Sequence, residues 1–321
     1  MIANVLDAAL WVAALATAAT ATLTRRRTTA AAMFLVLGLV VALVWARLGA
    51  PDIALAEAAI ASGVTGALLI AAVTEFPTPD EQRRRPLLGA LELVVGVAVV
   101  IVLSVTFVVA LRDGRGADRL GEEALDDVAN TPVSHPITAV LLDFRTYDTL
   151  LEIAVLAAAA IAALAFHRGG RLDAVGRVSE PGPVLTSYVR IVVPLLFVVA
   201  AWVLVAGSTR TGGAFQSGAI AAGALVLLHL GGFGRAVPTG RWLRPIAFVG
   251  LGVFIATAVL TYVFGDGWLV MDEPWGGSVI LGVEAALTVS IAIALAGLLL
   301  AGSPDRPADD ESRAHEHGSR R

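Results

Sequence analysis

The run TAVLLDFRTYDTLLEIAVL, residues 138 to 156, sets Asp143, Arg145, Asp148 and Glu152 into an otherwise apolar stretch. Ionisable groups in such surroundings are costly in hydrocarbon and need a partner, a water path or an exchangeable ion. Arg145 and Asp148 are three residues apart and share one face of a helix, so they can pair within the chain. An Arg held between carboxylates neutralises charge for burial and fixes contacts between helices or subunits, which makes Asp143, Arg145 and Asp148 structural ion-pair and interface candidates. Glu152 has two readings. Thr149-Leu-Leu-Glu152 fits a capping box, in which the carboxylate meets the Thr149 N–H, and the same residue equally fits an ion path.

Other ionisable groups interrupt apolar runs. Glu57 and Glu284 lie in ALAEAAIASG and ILGVEAALTV, with no cation nearby in sequence. A lone carboxylate there is a candidate to hold a proton or a cation, because its bare charge is costly. Glu92 is a further ion-path candidate, although Arg83, Arg84 and Arg85 lie close enough to pair with it. Asp52 follows Pro51 and reads as a helix N-cap, and Asp7 reads as a headgroup-level residue without a partner. Asp7, Glu57, Glu152 and Glu284 all fall near one membrane face, whereas Glu92 and His229 fall near the other. His315 and His317, in the polar tail, read as tail residues rather than metal ligands.

The elements that must position these groups are helices. Of the 321 residues, 57% are hydrophobic and 16% charged. The apolar residues form blocks of about twenty without alternation, which implies an all-α polytopic membrane protein and excludes a barrel. About nine spans are expected, over residues 2–23, 30–46, 53–73, 87–111, 148–166, 186–206, 214–233, 243–265 and 278–300. The segment 137–147 is expected to add a partial or re-entrant helix before the fifth span. The N-terminal run lacks a basic start and carries Asp7, so it reads as a retained first helix and not a signal peptide.

With nine spans, the Arg-rich connectors 25–27, 83–85, 168–177 and 235–244 and the tail share one side, which the positive-inside rule makes cytoplasmic. The N-terminus is then outside and the C-terminus inside. Cysteine is absent, which excludes thiolate, disulfide and cysteine-ligated metal chemistry. Every basic residue in the sequence is Arg. Arg stays protonated, so any step that needs a titrating Lys belongs to another chain. No basic stripe with interleaved aromatics suggests nucleic acid, no cofactor is expected, and nothing points to an enzyme. Small-residue spacings in the third span (Ser62 with Gly66; Ala59, Gly63 and Ala67) and the seventh (Gly218 with Ala222; Ala219 with Gly223) suit close helix packing.

Three stretches carry a family resemblance. GAPDIALAEAAIASGVTGALLIAAV (49–73) resembles the MbhD subunits of membrane-bound hydrogenases and the C-terminal extension of the large Mrp antiporter subunit. TAVLLDFRTYDTLLEIAVL resembles the adjacent MbhE-like segment, whose motif reads close to DFRGFDTLGE. STRTGGAFQSGAIAAGALVLLHL (208–230) is similar to the glycine-rich hairpin of the MnhB family. Thr146 and Leu151 stand where the family often has Gly, and Arg210 to Ala214 replace a more usual His-Asn-x-Pro-Gly-Gly-Gly.

The resemblance implies a fused subunit of an Mrp-type cation/proton antiporter. Its parts would be 1–111 (MbhD-like and adjoining helices), 112–136 (acidic external loop), 137–166 (MbhE-like), 167–185 (linker), 186–302 (MnhB-like four-helix membrane domain) and 303–321 (disordered cytoplasmic tail). It implies a multi-pass protein of the cell membrane that exchanges Na+ or another monovalent cation for H+ within its complex. The implied partners are antiporter subunits, among them large lysine-bearing ones. By this carry-over Glu57 is the leading ion-handling group, joined by Asp143, Arg145, Asp148 and Glu152, with Glu284 added from its own setting. The alternatives are the membrane arm of a hydrogenase- or complex I-like redox pump, or a purely structural scaffold subunit.

Overall fold

A computed structural model describes residues 2–66, 69, 73, 86–113, 117–166, 182–233, 242–271 and 274–301. The expected tail, most of the 167–185 linker and the Arg83–Arg85 connector lie outside the described residues. Two compact units share the chain: residues 1–75 with 132–321, and residues 76–131. Helix is the regular structure throughout, and no strand occurs among the described residues.

In the larger unit the helices are α1 (Ile2–Leu23), α2 (Arg27–Arg47) and α3 (Pro51–Glu57), the last continuing as a π-helical stretch over Ala58–Val64. After residue 132 come α6 (Pro136–Ala139), α7 (Thr146–Phe166), α8 (Pro183–Ala206), α9 (Ala214–Leu230), α10 (Leu243–Ala247), α11 (Val249–Phe264) and α12 (Gly276–Ala301). The smaller unit holds α4 (Pro86–Asp113) and α5 (Ala117–Asp127). Five helices are long and apolar enough to cross a membrane: α1, α2, α7, α8 and α12. Shorter apolar helices occur at Val94–Thr106, Ala214–Leu230 and Val249–Phe264. The chain is a helical membrane protein.

Three local departures from expectation have physical causes. The acidic segment 112–136 is not simply a loop: ADRLGEEALDD forms α5, since Ala, Leu, Glu and Arg are strong helix formers. The eighth expected span is divided at Phe248 into α10 and α11. The partial helix before the fifth span begins at Pro136 and turns π-helical over Val140–Phe144. It ends where Arg145 N–H reaches back five residues to Val140 O at 2.8 Å, and Arg145 leaves helical geometry at φ −128°, ψ 36°.

α12 lies at the centre of the larger unit. Ile280, Val283, Leu287 and Ile291 are all buried, and the run Ala292–Ala296 is enclosed as well. α9 packs on it through its small residues. A Cβ on Gly218 would lie 2.7 Å from Ile291 Cγ2 and 3.1 Å from Thr288 O, so the backbones approach as only glycine allows. Gly218, Ala219 and Ala222 are buried, whereas Gly223 faces outward. Ser217 Oγ donates to Ala200 O at 2.7 Å and ties α9 to α8. On another side of α12, Ser290 Oγ donates to Ala247 O of α10, and Gly250 lets α11 close on the Ser290 Cβ. In the smaller unit, Val95, Val99, Val102 and Val105 of α4 are exposed, as on a helix whose solvent is hydrocarbon.

Candidate functional site

α3, α6, α7, α9 and α12 enclose a cavity of about 490 Å³. Three carboxylate residues line it, Asp52, Glu152 and Glu284, among walls that include Ile60, Leu141 and Leu287. Both π-helical stretches contribute lining residues, Ile60 from the first and Leu141 from the second. A π turn re-aims side chains that a regular helix would direct elsewhere, and such turns recur at functional sites.

Asp52 is fully engaged. It is the second residue of α3, whose N-cap is Ala50, so the expected N-cap role is corrected. A helix that starts at Pro51 needs no cap on the proline nitrogen, which frees the carboxylate for tertiary contacts. Its Oδ2 lies 3.1 Å from His135 Nε2 and accepts from Thr211 Oγ1 at 3.4 Å, and its Oδ1 accepts from Gly212 N at 3.1 Å. Gln216 Nε2 also donates to the Asp52 backbone O at 3.4 Å.

These bonds fasten the hairpin between α8 and α9. Ser134 N and His135 N donate to Ser208 O at 3.1 and 3.2 Å, and Thr138 Oγ1 donates to Gly207 O at 2.5 Å. Gly212 and Gly213 have φ +155° and +115°, and a Cβ on Gly212 would collide with Val203 O. Glycine is therefore required there both for backbone angle and for space.

The hairpin delivers its next residue to Glu284, which is 3% exposed. Ala214 N, the first N–H of α9, donates to Glu284 Oε1 at 3.3 Å. Glu284 Oε2 is buried without a hydrogen-bond partner. A buried carboxylate satisfied on one oxygen and bare on the other calls for a proton, an ion or water.

The remaining expected residues are distributed as follows. Glu152 lines the cavity but makes no capping box: the helix already begins at Thr146, and Thr149 Oγ1 donates instead to Leu141 O at 2.6 Å. Glu57, the last residue of α3 before the π stretch, is half-buried and does not line this cavity. Glu92 lies on α4 in the smaller unit, and its side chain is outside the described residues. Arg145 Nη2 and Asp148 Oδ2 form an ion pair whose side chains are 69% and 53% exposed, and Asp143 O accepts from Thr146 Oγ1 at 2.9 Å. Asp7 is not partnerless. Arg47 Nε lies 2.8 Å from Asp7 Oδ1 as an ionic contact, and Arg47 Nη2 donates to Oδ2 at 3.4 Å. His229 sits in the last turn of α9, with Nδ1 buried and unpartnered.

His135, Thr211, Gly212 and Gln216 are the residues that sequence reasoning missed. A signal was present in Asp52 itself, which stands at the start of an apolar helix in one of the family-like motifs. Nothing local, however, identifies partners 83 to 164 positions away.

Comparison with known proteins places these residues in modules. Residues 12–78 match the MbhD family model, which describes the D subunit of MBH, and residues 184–302 match the domain related to the MnhB subunit of Na+/H+ antiporter. The chain joins an MbhD domain to an MnhB-related domain. This pairing groups it with the Mrp-type antiporter subunits. Among curated proteins, the large A-type subunit of the Na(+)/H(+) antiporter of Alkalihalophilus pseudofirmus is 27% identical over 143 residues, 44% of this chain and 18% of that protein.

Among solved structures, a chain of the Mrp complex from Dietzia sp. DQ12-45-1b superposes with a TM-score of 0.74 at 22% identity, over 94% of this chain and 35% of that one. A chain of the membrane-bound sulfane sulfur reductase, an archaeal respiratory membrane complex, superposes with a TM-score of 0.55 at 20% identity, over 67% of this chain and all of that one. These two likenesses concern the fold. The chain spans about a fifth of the curated relative and about a third of the Mrp chain. Asp52 thus belongs to the MbhD domain, and the hairpin and Glu284 to the MnhB-related domain. His135 and Glu152 come from the stretch outside both matches.

Proposed function

We propose that the chain is a multi-pass subunit of a multisubunit Na+/H+ antiporter in the cell membrane, with about nine spans, its N-terminus outside and its C-terminus inside. Its own part is to brace neighbouring subunits and to supply carboxylates to an ion path. The observation that carries this reading is Glu284: a buried carboxylate oxygen with no donor opens on a cavity bounded by both family-matched domains. A carboxylate that holds either a proton or a cation is the simplest element of exchange, since the two compete for one charge. Glu152 is the second carboxylate of that path, and Glu57 and Glu92 are path residues elsewhere in it. The exposed Arg145–Asp148 pair, with Asp143 beside it, is a docking point for a neighbouring subunit.

With only Arg among its basic residues, the chain leaves lysine-based proton steps to large antiporter-like partners. The organisation proposed is an MbhD-like part to residue 111, an MbhE-like segment over 137–166 and an MnhB-like domain over 186–302. The role is one of transport and not of catalysis.

The test is purification of the tagged chain in mild detergent with mass spectrometry of the proteins that accompany it. Large lysine-bearing membrane subunits without redox proteins are expected. Co-purifying metal-cluster proteins would instead identify the membrane arm of a redox-driven pump, and a chain recovered alone and stably folded would overturn the subunit reading.

A further inference from the structure

Asp52 and Glu284 line one cavity with opposite hydrogen-bond accounts. Asp52 accepts on both oxygens, from His135, Thr211 and Gly212, whereas Glu284 accepts on one only. A carboxylate whose lone pairs are engaged by three donors is a fixed anchor. One with a bare oxygen is free to exchange what it holds.

The two are linked through four consecutive residues. Asp52 grips Thr211 and Gly212, Gly213 follows at φ +115°, and Ala214 N–H is the donor to Glu284. The link has little slack. A Cβ on Gly213 would stand 3.0 Å from Glu284 Oε1, and Gly213 N is itself bonded to Val203 O at 3.0 Å. Thr288, one turn beyond Glu284, donates to Ala214 O at 3.4 Å, so α12 holds the same residue from its other side. A backbone N–H aimed at a carboxylate favours its charged form, and its distance and angle decide by how much.

We propose that Asp52, assisted by His135, is a positioning residue for Glu284: by pinning the Gly212–Gly213 turn it fixes the Ala214 N–H and thereby sets how tightly Glu284 holds a monovalent cation. This rests on the reading of Glu284 as an exchange site. Asp52 itself carries no ion in the scheme. Its carboxylate is occupied, and its charge serves to keep a flexible two-glycine turn in one arrangement.

The test uses the whole complex in mild detergent and dicyclohexylcarbodiimide, an apolar reagent that attacks protonated carboxyl groups in apolar sites. Modification of the peptide containing Glu284 is read by mass spectrometry against increasing Na+. In the wild type Na+ protects Glu284. In Asp52→Ala the Na+ concentration giving half-protection rises about fivefold or more, with Asp52→Asn and His135→Gln moving it in the same direction by less. Asp52→Asn keeps an oxygen for the Gly212 N–H, so it reports even where Asp52→Ala prevents assembly. An unchanged half-protection point in assembled Asp52→Asn and His135→Gln complexes overturns the proposal. Absence of Na+ protection in the wild type strikes instead at the exchange reading of Glu284.

Discussion

Glu284 of α12 and Ala214 of α9 meet through one hydrogen bond, 3.3 Å from Ala214 N to Glu284 Oε1, while the other carboxylate oxygen is buried with no donor. Glu284→Gln keeps the shape and an acceptor for Ala214 but removes the exchangeable charge. Cation-dependent proton movement in inverted vesicles is expected to fall about tenfold or more, with the complex still intact on a native gel. Glu57 does not line the cavity, and Glu57→Gln is expected to cost less than Glu284→Gln in the same assay. An equal or larger loss at Glu57 would move the exchange site to α3.

Gly218 allows α9 to rest against Ile291 and the Thr288 carbonyl. Gly218→Val forces the two helices apart and is expected to destabilise the chain by about 1–3 kcal/mol, the usual cost of overpacking. Gly223→Val, on the outward face of the same helix with open space around it, serves as the comparison and should change stability little. Thermal unfolding of both variants in one detergent decides the point.

Arg47 and Asp7 join α2 to α1 through a pair whose side chains are each 41% exposed. Exposure on that scale limits its worth, so Arg47→Ala is expected to lower stability by less than about 1 kcal/mol. A larger loss by thermal unfolding would mean that the pair is shielded from solvent in the membrane.

Arg145 and Asp148 pair in the open, which suits a contact completed by a neighbouring protein. Arg145→Ala should leave the unfolding of the isolated chain within about 0.5 kcal/mol of wild type and reduce recovery of the complex on a native gel. Undiminished recovery would remove the interface role.

The helices were legible because their causes are local. Twenty-residue apolar blocks have one solution in hydrocarbon, where every backbone N–H and C=O must be satisfied within its own segment. The break at Arg145 was partly legible too, since a charged cluster inside an apolar run argues against an uninterrupted span. The helical character of 117–127 lies in its Ala, Leu and Glu content, which the acidity of the segment masks.

The site was legible in part. Glu284 and Glu152 stood out as costly residues in apolar runs, and both reach the cavity. Glu57 stood out for the same reason and does not line it, because the choice turns on which face of α3 points inward. Asp7 looked solitary because Arg47, its partner, is 40 positions away.

Composition and hydropathy alone determined that this is an all-helical membrane protein without thiol or lysine chemistry, and the motifs suggested its relatives. These properties are sums over residues or patterns within one helix, so they need no folded context. Only the tertiary structure decided that Asp52 is an anchor and Glu284 the carboxylate left open. That distinction depends on which donors arrive from distant segments, and a carboxylate's chemistry in a low-dielectric interior is set by those donors rather than by its neighbours in sequence.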